Sequence, residues 1–341
     1  MSERIETRVK SLVDKAYNEE ELTCEQLAYL LDLPHNTPSG EYVMTQADEM
    51  SRQAAKGRGF IHAQIGLDHL PCPENCQYCS HAACNQALFH SAEELKDKEA
   101  MLVDLDDVVS AARVFNEGGA HLISLMATAA YPFSLLEEAV SRVREAAPNV
   151  AVMVNCADMD VAQARRLHEA GAQVAYHALR LREGVVTSIS PERRLATMRA
   201  IQNAGLQFMT GIEPLFAEAT GAEIAQVMCE LRQFSPYCTG VCKLTKSKEA
   251  RCELSSVEKE RVHYVACVLR LAFGRRVPVG CAGGAIWVDA GTDPRGRGYA
   301  TDNDSLRQKL VQARLALQAA GWEVPTGVPE DIIPPFCQTA E

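Results

Sequence analysis

From Phe60 onward, short β-rich runs alternate with amphipathic segments of roughly ten to twenty residues, and few folds accommodate that rhythm. The runs lie near Ile61–Leu67, Leu122–Met126, Val150–Asn155, Val174–Leu179, Gln207–Ile212, Gly240–Leu244 and Val277–Gly280. Glycines precede several of them (Gly118-Gly119, Gly171, Gly205 and Gly274), where a helix would close in a left-handed residue. Helix starts are marked too. Ser190-Pro191 offers a cap followed by a first-turn proline, and Ser255, three residues before Glu258, predicts another start. Alternation of this kind predicts a parallel sheet with right-handed crossovers. The expected fold class is α/β, a full or partial (βα) TIM-like barrel with an N-terminal helical extension. Its closure reads as irregular. The gap between Val277–Gly280 and Ala285–Asp289 is shorter than the dozen or so residues of a parallel crossover. Residues 303–320 read as a final helix ending at Gly321.

Ahead of the barrel, residues 1–56 read as helices, and residues 57–341 as the barrel with its C-terminal helix. Thr23-Cys24-Glu25-Gln26 has the form of a capping box, and the Pro38-Ser39-Gly40 turn is expected to separate two helical pieces. Among 341 residues 47% are apolar, enough for a sizeable core, yet no apolar run approaches the ~20 residues of a membrane span. A net charge of −11 argues against nucleic acid as the main partner. The first residues are charged and lack the apolar core of an export signal. Thirteen cysteines, an odd number, therefore suggest a reducing cytoplasm in which thiols serve as ligands, reactive groups or small buried residues.

Three of those cysteines, Cys72, Cys76 and Cys79, form a C-x3-C-x2-C motif with Tyr78 before the last. The motif directly follows the first barrel strand, on the face where barrel enzymes build their sites. Three thiolates this close can hold three corners of a [4Fe-4S] cluster and leave one iron open. Structural zinc is the alternative, with Cys84, His81 or His69 as fourth ligand.

The stretch Leu-Pro-Cys-Pro-Glu-Asn-Cys-Gln-Tyr-Cys resembles the radical S-adenosylmethionine superfamily, and within it the biotin synthase-like group, which includes HydE, methylornithine synthase and lipoyl synthases of this type. Two further pieces carry the resemblance: Ser190-Pro-Glu-Arg-Arg-Leu with Asn203-Ala-Gly-Leu, and Leu125-Met-Ala-Thr-Ala-Ala-Tyr-Pro. It implies a [4Fe-4S] cluster on Cys72, Cys76 and Cys79, with S-adenosyl-L-methionine chelated by the open iron. It also implies cofactor contacts from Tyr78, Met126, Ala127, Thr128, Glu183 and Arg194, with Arg194 at the methionyl carboxylate. Cleavage to a 5′-deoxyadenosyl radical would follow, and the electron would come from a donor such as flavodoxin or ferredoxin.

The chain departs from biotin synthase where that enzyme ligates a second, sulfur-donating cluster. The corresponding places hold Ile123 or Ser124, Val152, Met209 and Gly283-Gly284. A small polar substrate undergoing rearrangement or bond cleavage is therefore the leading expectation. Sulfur insertion would need a cluster rebuilt from Cys156, Cys242, Cys252 or Cys281, and a non-catalytic Fe–S or zinc protein is the reading from another class. Cys281 and Cys242 are candidates for a thiol that gives or takes a hydrogen atom. The remaining cysteines read as buried free thiols. Asn155, Asp158, His177, Arg180, Arg182, Glu183, Glu213, Lys243 and Lys246 all fall near strand ends, and suit a polar or zwitterionic ligand. His177 reads as a proton carrier or a satisfied interior histidine. Arg295-Gly-Arg297 reads as an anion patch or a solvated turn.

Overall fold

The computed structural model describes residues 5–86, 101–245, 250, 252–275, 285–291 and 302–327. Three helices open the chain: α1 (Thr7–Tyr17), α2 (Cys24–Leu31) and α3 (Pro38–Ala54). The Thr23 capping box forms as expected, with reciprocal bonds to Gln26. Pro38 does not turn the chain; it occupies the first turn of α3 behind a Thr37 cap, a position where its missing N–H costs nothing.

Strands and helices then alternate: β1 (Phe60–Gly66), α4 (Ala83–Gln86), α5 (Leu105–Glu117), β2 (Leu122–Met126), α6 (Phe133–Ala146), β3 (Ala151–Asn155) and α7 (Val161–Glu169). They continue with β4 (Val174–Tyr176), α8 (Pro191–Asn203), β5 (Gln207–Leu215), α9 (Gly221–Arg232), β6 (Cys238–Lys243), α10 (Lys259–Phe273), β7 (Ala285–Gly291) and α11 (Asn303–Ala319). The seven strands form one parallel sheet in the order β6-β5-β4-β3-β2-β1-β7. β1 is thus flanked by β2 and by the last strand, as in a partial TIM barrel. The run Val277–Gly280 lies outside the described residues.

Two local expectations change. β4 ends at Tyr176, three residues early, because His177–Leu179 leave the sheet to carry Arg180 and Glu183 into a polar network. α10 starts after Glu258 rather than Ser255, since the 255–256 segment is pinned to the chain leaving β5 and β6: Ala217 N donates to Ser255 O at 2.9 Å and Ser256 Oγ to Leu244 O at 2.7 Å.

One apolar cluster joins α1, α2 and α3 to the helices and outer face of the barrel, from Val9 and Leu30 through Ile61 and Phe115 to Tyr264 and Leu310. Each fully buried Leu, Ile or Phe contributes about 1.5–3 kcal/mol. The α2–α9 contact is close because Gly221 has no side chain: a Cβ there would stand 2.9 Å from Ala28 O. A polar tie reinforces it, with Gly221 N donating to Asp32 Oδ1 at 3.2 Å, and Tyr264 Oη of α10 donates to Leu30 O of α2 at 2.8 Å. Cys24 and Cys229 are joined by a disulfide across this contact, Cα atoms 6.2 Å apart, which corrects the expectation that all cysteines are ligands or free thiols.

Candidate active site

The chain leaving β1 is folded by one buried carboxylate. Asp68, 2% exposed, accepts from Thr128 N at 2.8 Å, Thr128 Oγ1 at 2.5 Å and Leu70 N at 3.2 Å. Burial pushes its carboxyl up, against the pull of those hydrogen bonds. Met126 and Ala127 are fixed by their backbones, with Leu67 N donating to Met126 O at 2.8 Å and Ala127 N to Asn155 O at 2.9 Å. The cysteine loop then closes on itself: Cys72 N donates to His81 O at 2.7 Å and Ala83 N to Cys72 O at 2.9 Å. Asn85 Nδ2 donates to Gln77 O and Cys79 O, both at 2.9 Å.

The three thiols crowd one pocket. Burial pushes all of them up, Cys79 to about 12, and neighbouring sulfurs add to the shift of Cys76 and Cys79. Three influences favour the thiolate instead. The amides of Glu74 and Ala129 lie against the Cys72 sulfur, the His81 amide lies against Cys79, and Arg180 and Arg194 stand beside Cys76. Amide N–H groups aimed at thiolates are among the features that tune Fe–S clusters. Among the described residues no three His, Cys, Asp or Glu side chains are grouped to hold a single metal ion.

Opposite the loop, a charged network joins the ends of β3 and β4 to the first turn of α8. Ser190 caps that helix, with Arg193 N donating to its Oγ, and Pro191 takes the first turn. Asp158 Oδ1 receives His177 Nε2 at 2.7 Å, Thr197 Oγ1 at 3.1 Å and Arg194 Nη1 at 3.3 Å. Arg194 Nε reaches Glu183 Oε2 at 3.1 Å, and both side chains are nearly fully buried. Burial alone would raise the Asp158 carboxyl, but the His177 bond and the Arg194 and Arg193 charges hold it well below the usual carboxylate range. His177 is pushed down to about 4 by burial, with the Arg194 and Arg180 charges adding to the push, against the pull of the Asp158 hydrogen bond and charge. It is therefore neutral near pH 7, and its main contact is structural. On β5, Glu213 accepts from Tyr176 Oη at 2.7 Å and pairs with Arg180 Nε at 3.4 Å. Arg180 Nη1 and Tyr78 Oη are buried without hydrogen-bond partners.

The loop containing Thr128, the cysteine loop, Arg180, Glu183 and Arg194 thus meet at the C-terminal ends of the strands. Strand register places the other expected residues. Ser124 lies level with Met153, which joins Met209 and Cys238 in the interior apolar cluster, whereas Ile123 and Val152 pack outward under the helices. Met153, not Val152, is thus the inward residue of β3. Cys242 is exposed at the end of β6, and it adds to the upward push that burial and Glu213 give the Tyr176 phenol. Cys156 is pushed up to about 12, chiefly by burial. Arg182 turns away to pair with Glu223 Oε1 at 2.7 Å. Cys281, Gly283-Gly284, Lys246 and Arg295-Gly-Arg297 lie outside the described residues. Sequence reasoning missed Asp68 and the pair Glu74–Arg193, whose partners are distant in the chain and carry no local signature.

No family model matches the chain. It is 31% identical over 159 residues to a biotin synthase of Heliobacterium modesticaldum, covering 45% of each chain. It is 27% identical over 237 residues to a biotin synthase of Streptomyces coelicolor, covering 67% of this chain and 55% of the relative. The chain spans about half the length of the curated relatives it matches. The fold is similar to that of the FeFe-hydrogenase maturase HydG from Carboxydothermus hydrogenoformans (TM-score 0.73, 16% identity, 96% of this chain and 81% of that one). Methylornithine synthase PylB is similar as well (TM-score 0.70, 16% identity, 92% of this chain and 97% of that one). With these matches, the chain is similar in sequence to biotin synthases and in fold to HydG and methylornithine synthase, as the resemblance to the biotin synthase-like group of the radical S-adenosylmethionine superfamily implies.

Proposed function

We propose that this protein is a radical S-adenosylmethionine enzyme acting on a small polar molecule by rearrangement or bond cleavage. One observation carries the reading: Asp68, leading into the cysteine loop, holds Thr128, and Glu74, inside that loop, holds Arg193 next to Arg194, so the segments that carry the resemblance are joined at the C-terminal ends of the strands. Cys72, Cys76 and Cys79 would hold a [4Fe-4S] cluster and leave one iron for S-adenosylmethionine. When bound, the cluster supplies the electron that cleaves S-adenosylmethionine to a 5′-deoxyadenosyl radical. The protein's part is placement and exclusion of water. Arg194 would face the methionyl carboxylate, Glu183 would hold that guanidinium, and the backbone at Met126, Ala127 and Thr128 would meet the methionyl amine. Tyr78 would line the same pocket. Arg180, with an unspent buried N–H, suits an anionic group of the substrate. Cys242, exposed at the mouth, or Cys281 would exchange a hydrogen atom.

A flavodoxin- or ferredoxin-like protein in the cytoplasm would supply the electron. Neither nucleic acid nor membrane is expected as a partner; among the described residues no helix is long and apolar enough to cross a membrane.

The identity to proteins named biotin synthase favours a second reading, sulfur insertion with a non-standard auxiliary cluster. Anaerobic reconstitution followed by iron and sulfide analysis tests both. About four irons per chain support the leading reading, and clearly more support sulfur insertion. A protein that takes up zinc and no iron would overturn both.

A further inference from the structure

Glu74 stands between Cys72 and Cys76, inside the motif, and its carboxylate is only 17% exposed. It does not contact its own loop's amides as a cap would. Arg193 Nη2 and Nη1 grip it in a fork at 2.6 and 3.2 Å. The same guanidinium turns its third nitrogen, Nε, to Asp158 Oδ2 at 2.9 Å. Asp158 Oδ1 in turn holds Arg194, His177 and Thr197. A continuous chain, Glu74–Arg193–Asp158–Arg194–Glu183, therefore runs from inside the cysteine motif to the helix proposed to bind the cofactor. The loop is tied at its flanks as well. Ser188 Oγ donates to Glu74 O, and Gln77 N donates to Val186 O at 2.9 Å. A planar fork that grips the Glu74 carboxylate with two nitrogens while its charge pairs with Asp158 is a task for arginine; lysine offers a point charge without that geometry.

We infer that Arg193 and Asp158 are positioning residues that brace the three-cysteine loop against α8, so that the thiols are preorganised before any metal arrives. Neither residue is placed on substrate or cofactor. The inference rests on the proposed function only for what the thiols bind; the brace itself exists in the polypeptide. Arg193, half exposed, can be replaced without leaving a buried cavity or an orphaned core charge of its own. A matched control exists in Arg166 of α7, which forks onto Glu137 of α6 with similar exposure.

The test uses the full-length chain freed of metal. Alkylation rates of Cys72, Cys76 and Cys79 are read peptide by peptide in wild type, Arg193→Met, Arg193→Lys and Arg166→Met, with thermal midpoints measured in parallel. Arg193→Met is expected to alkylate those three cysteines about fivefold faster, the change in open population that a pair at the strong end of the exposed range supplies. Arg193→Lys should fall between, and Arg166→Met should match wild type. In reconstituted protein, iron loss to a chelator should speed up in the same order. Equal alkylation in Arg193→Met and Arg166→Met would overturn the brace, as would acceleration at Cys242 equal to that at the motif, which would indicate general loosening. Loss of the brace with normal cluster formation sinks this inference alone. A brace intact in a chain that never binds iron sinks only the proposed function.

Discussion

His177 offers a quantitative check on the electrostatics of the site. The side chain is 3% exposed, and burial pushes its pKa from 6.5 to about 4. That separation corresponds to about 3 kcal/mol between the two protonation states. The sign is fixed by which state binds the proton. Between pH 6.5 and about 4 the unfolded chain protonates this imidazole and the native chain does not, so acidification favours unfolding. The contribution is complete above the unfolded value and lost as pH falls towards the folded one. His62 and His121 are also held low by burial, so the wild-type profile alone would mix three histidines. Asp158 drops out of the comparison because its depressed carboxyl loses stability only below the unfolded carboxylate value. The assay is urea unfolding of wild type and His177→Gln at several pH values from 7 down to 4. Gln keeps a donor for Asp158 and cannot titrate. The wild-type advantage should shrink by about 3 kcal/mol across that range. A difference that stays constant would refute a buried neutral imidazole. A difference that grows on acidification would mean that Asp158 holds His177 protonated.

Asp158→Ala removes one carboxylate from a pair whose side chains are each 6% exposed, and should cost about 3–5 kcal/mol in denaturant unfolding. A loss under ~1 kcal/mol would mean water screens the network. Cys24→Ser should lower stability by about 2–4 kcal/mol in non-reducing buffer and leave it nearly unchanged with reductant, read as a thermal shift. Equal stability under both conditions would mean the cross-link contributes nothing. Thr128→Val removes the hydroxyl bond to Asp68, leaving those from the Thr128 and Leu70 amides, and should cost about 1–3 kcal/mol; an unchanged midpoint would show that water replaces the hydroxyl.

Much of the scaffold could be read from the chain because its signals are local. The β2 run Leu122–Met126 matches its strand residue for residue, and the Thr23 and Ser190 caps form where their hydroxyls predict. The cysteine motif is equally local, eight residues that fold back on themselves through Cys72 and His81. What escaped depends on contacts between distant segments. β4 stops at Tyr176 although Ala178 and Leu179 continue the apolar pattern, because the segment is drawn towards Arg194 and Glu213 instead. Ser255 has the right spacing for a cap, but Glu218 takes its amide at 3.1 Å. Val152 and Met153 are both apolar, and only the pairing register decides which faces inward. Asp68–Thr128 and Glu74–Arg193 span 60 and 119 residues, so no local pattern could have joined them. Cys24–Cys229 spans 205, and an odd cysteine count argued against looking for it.

The central claim is that the Cys72, Cys76 and Cys79 pocket hosts a cluster that reductively cleaves S-adenosylmethionine. The most direct measurement is 5′-deoxyadenosine formed when the reconstituted, anaerobically reduced protein is incubated with S-adenosylmethionine, beside a Cys76→Ala variant treated identically. The account predicts 5′-deoxyadenosine from the wild type and none above background from the variant, which should also lose the brown colour of the cluster. No 5′-deoxyadenosine from fully loaded wild type, or equal amounts from Cys76→Ala, would contradict it.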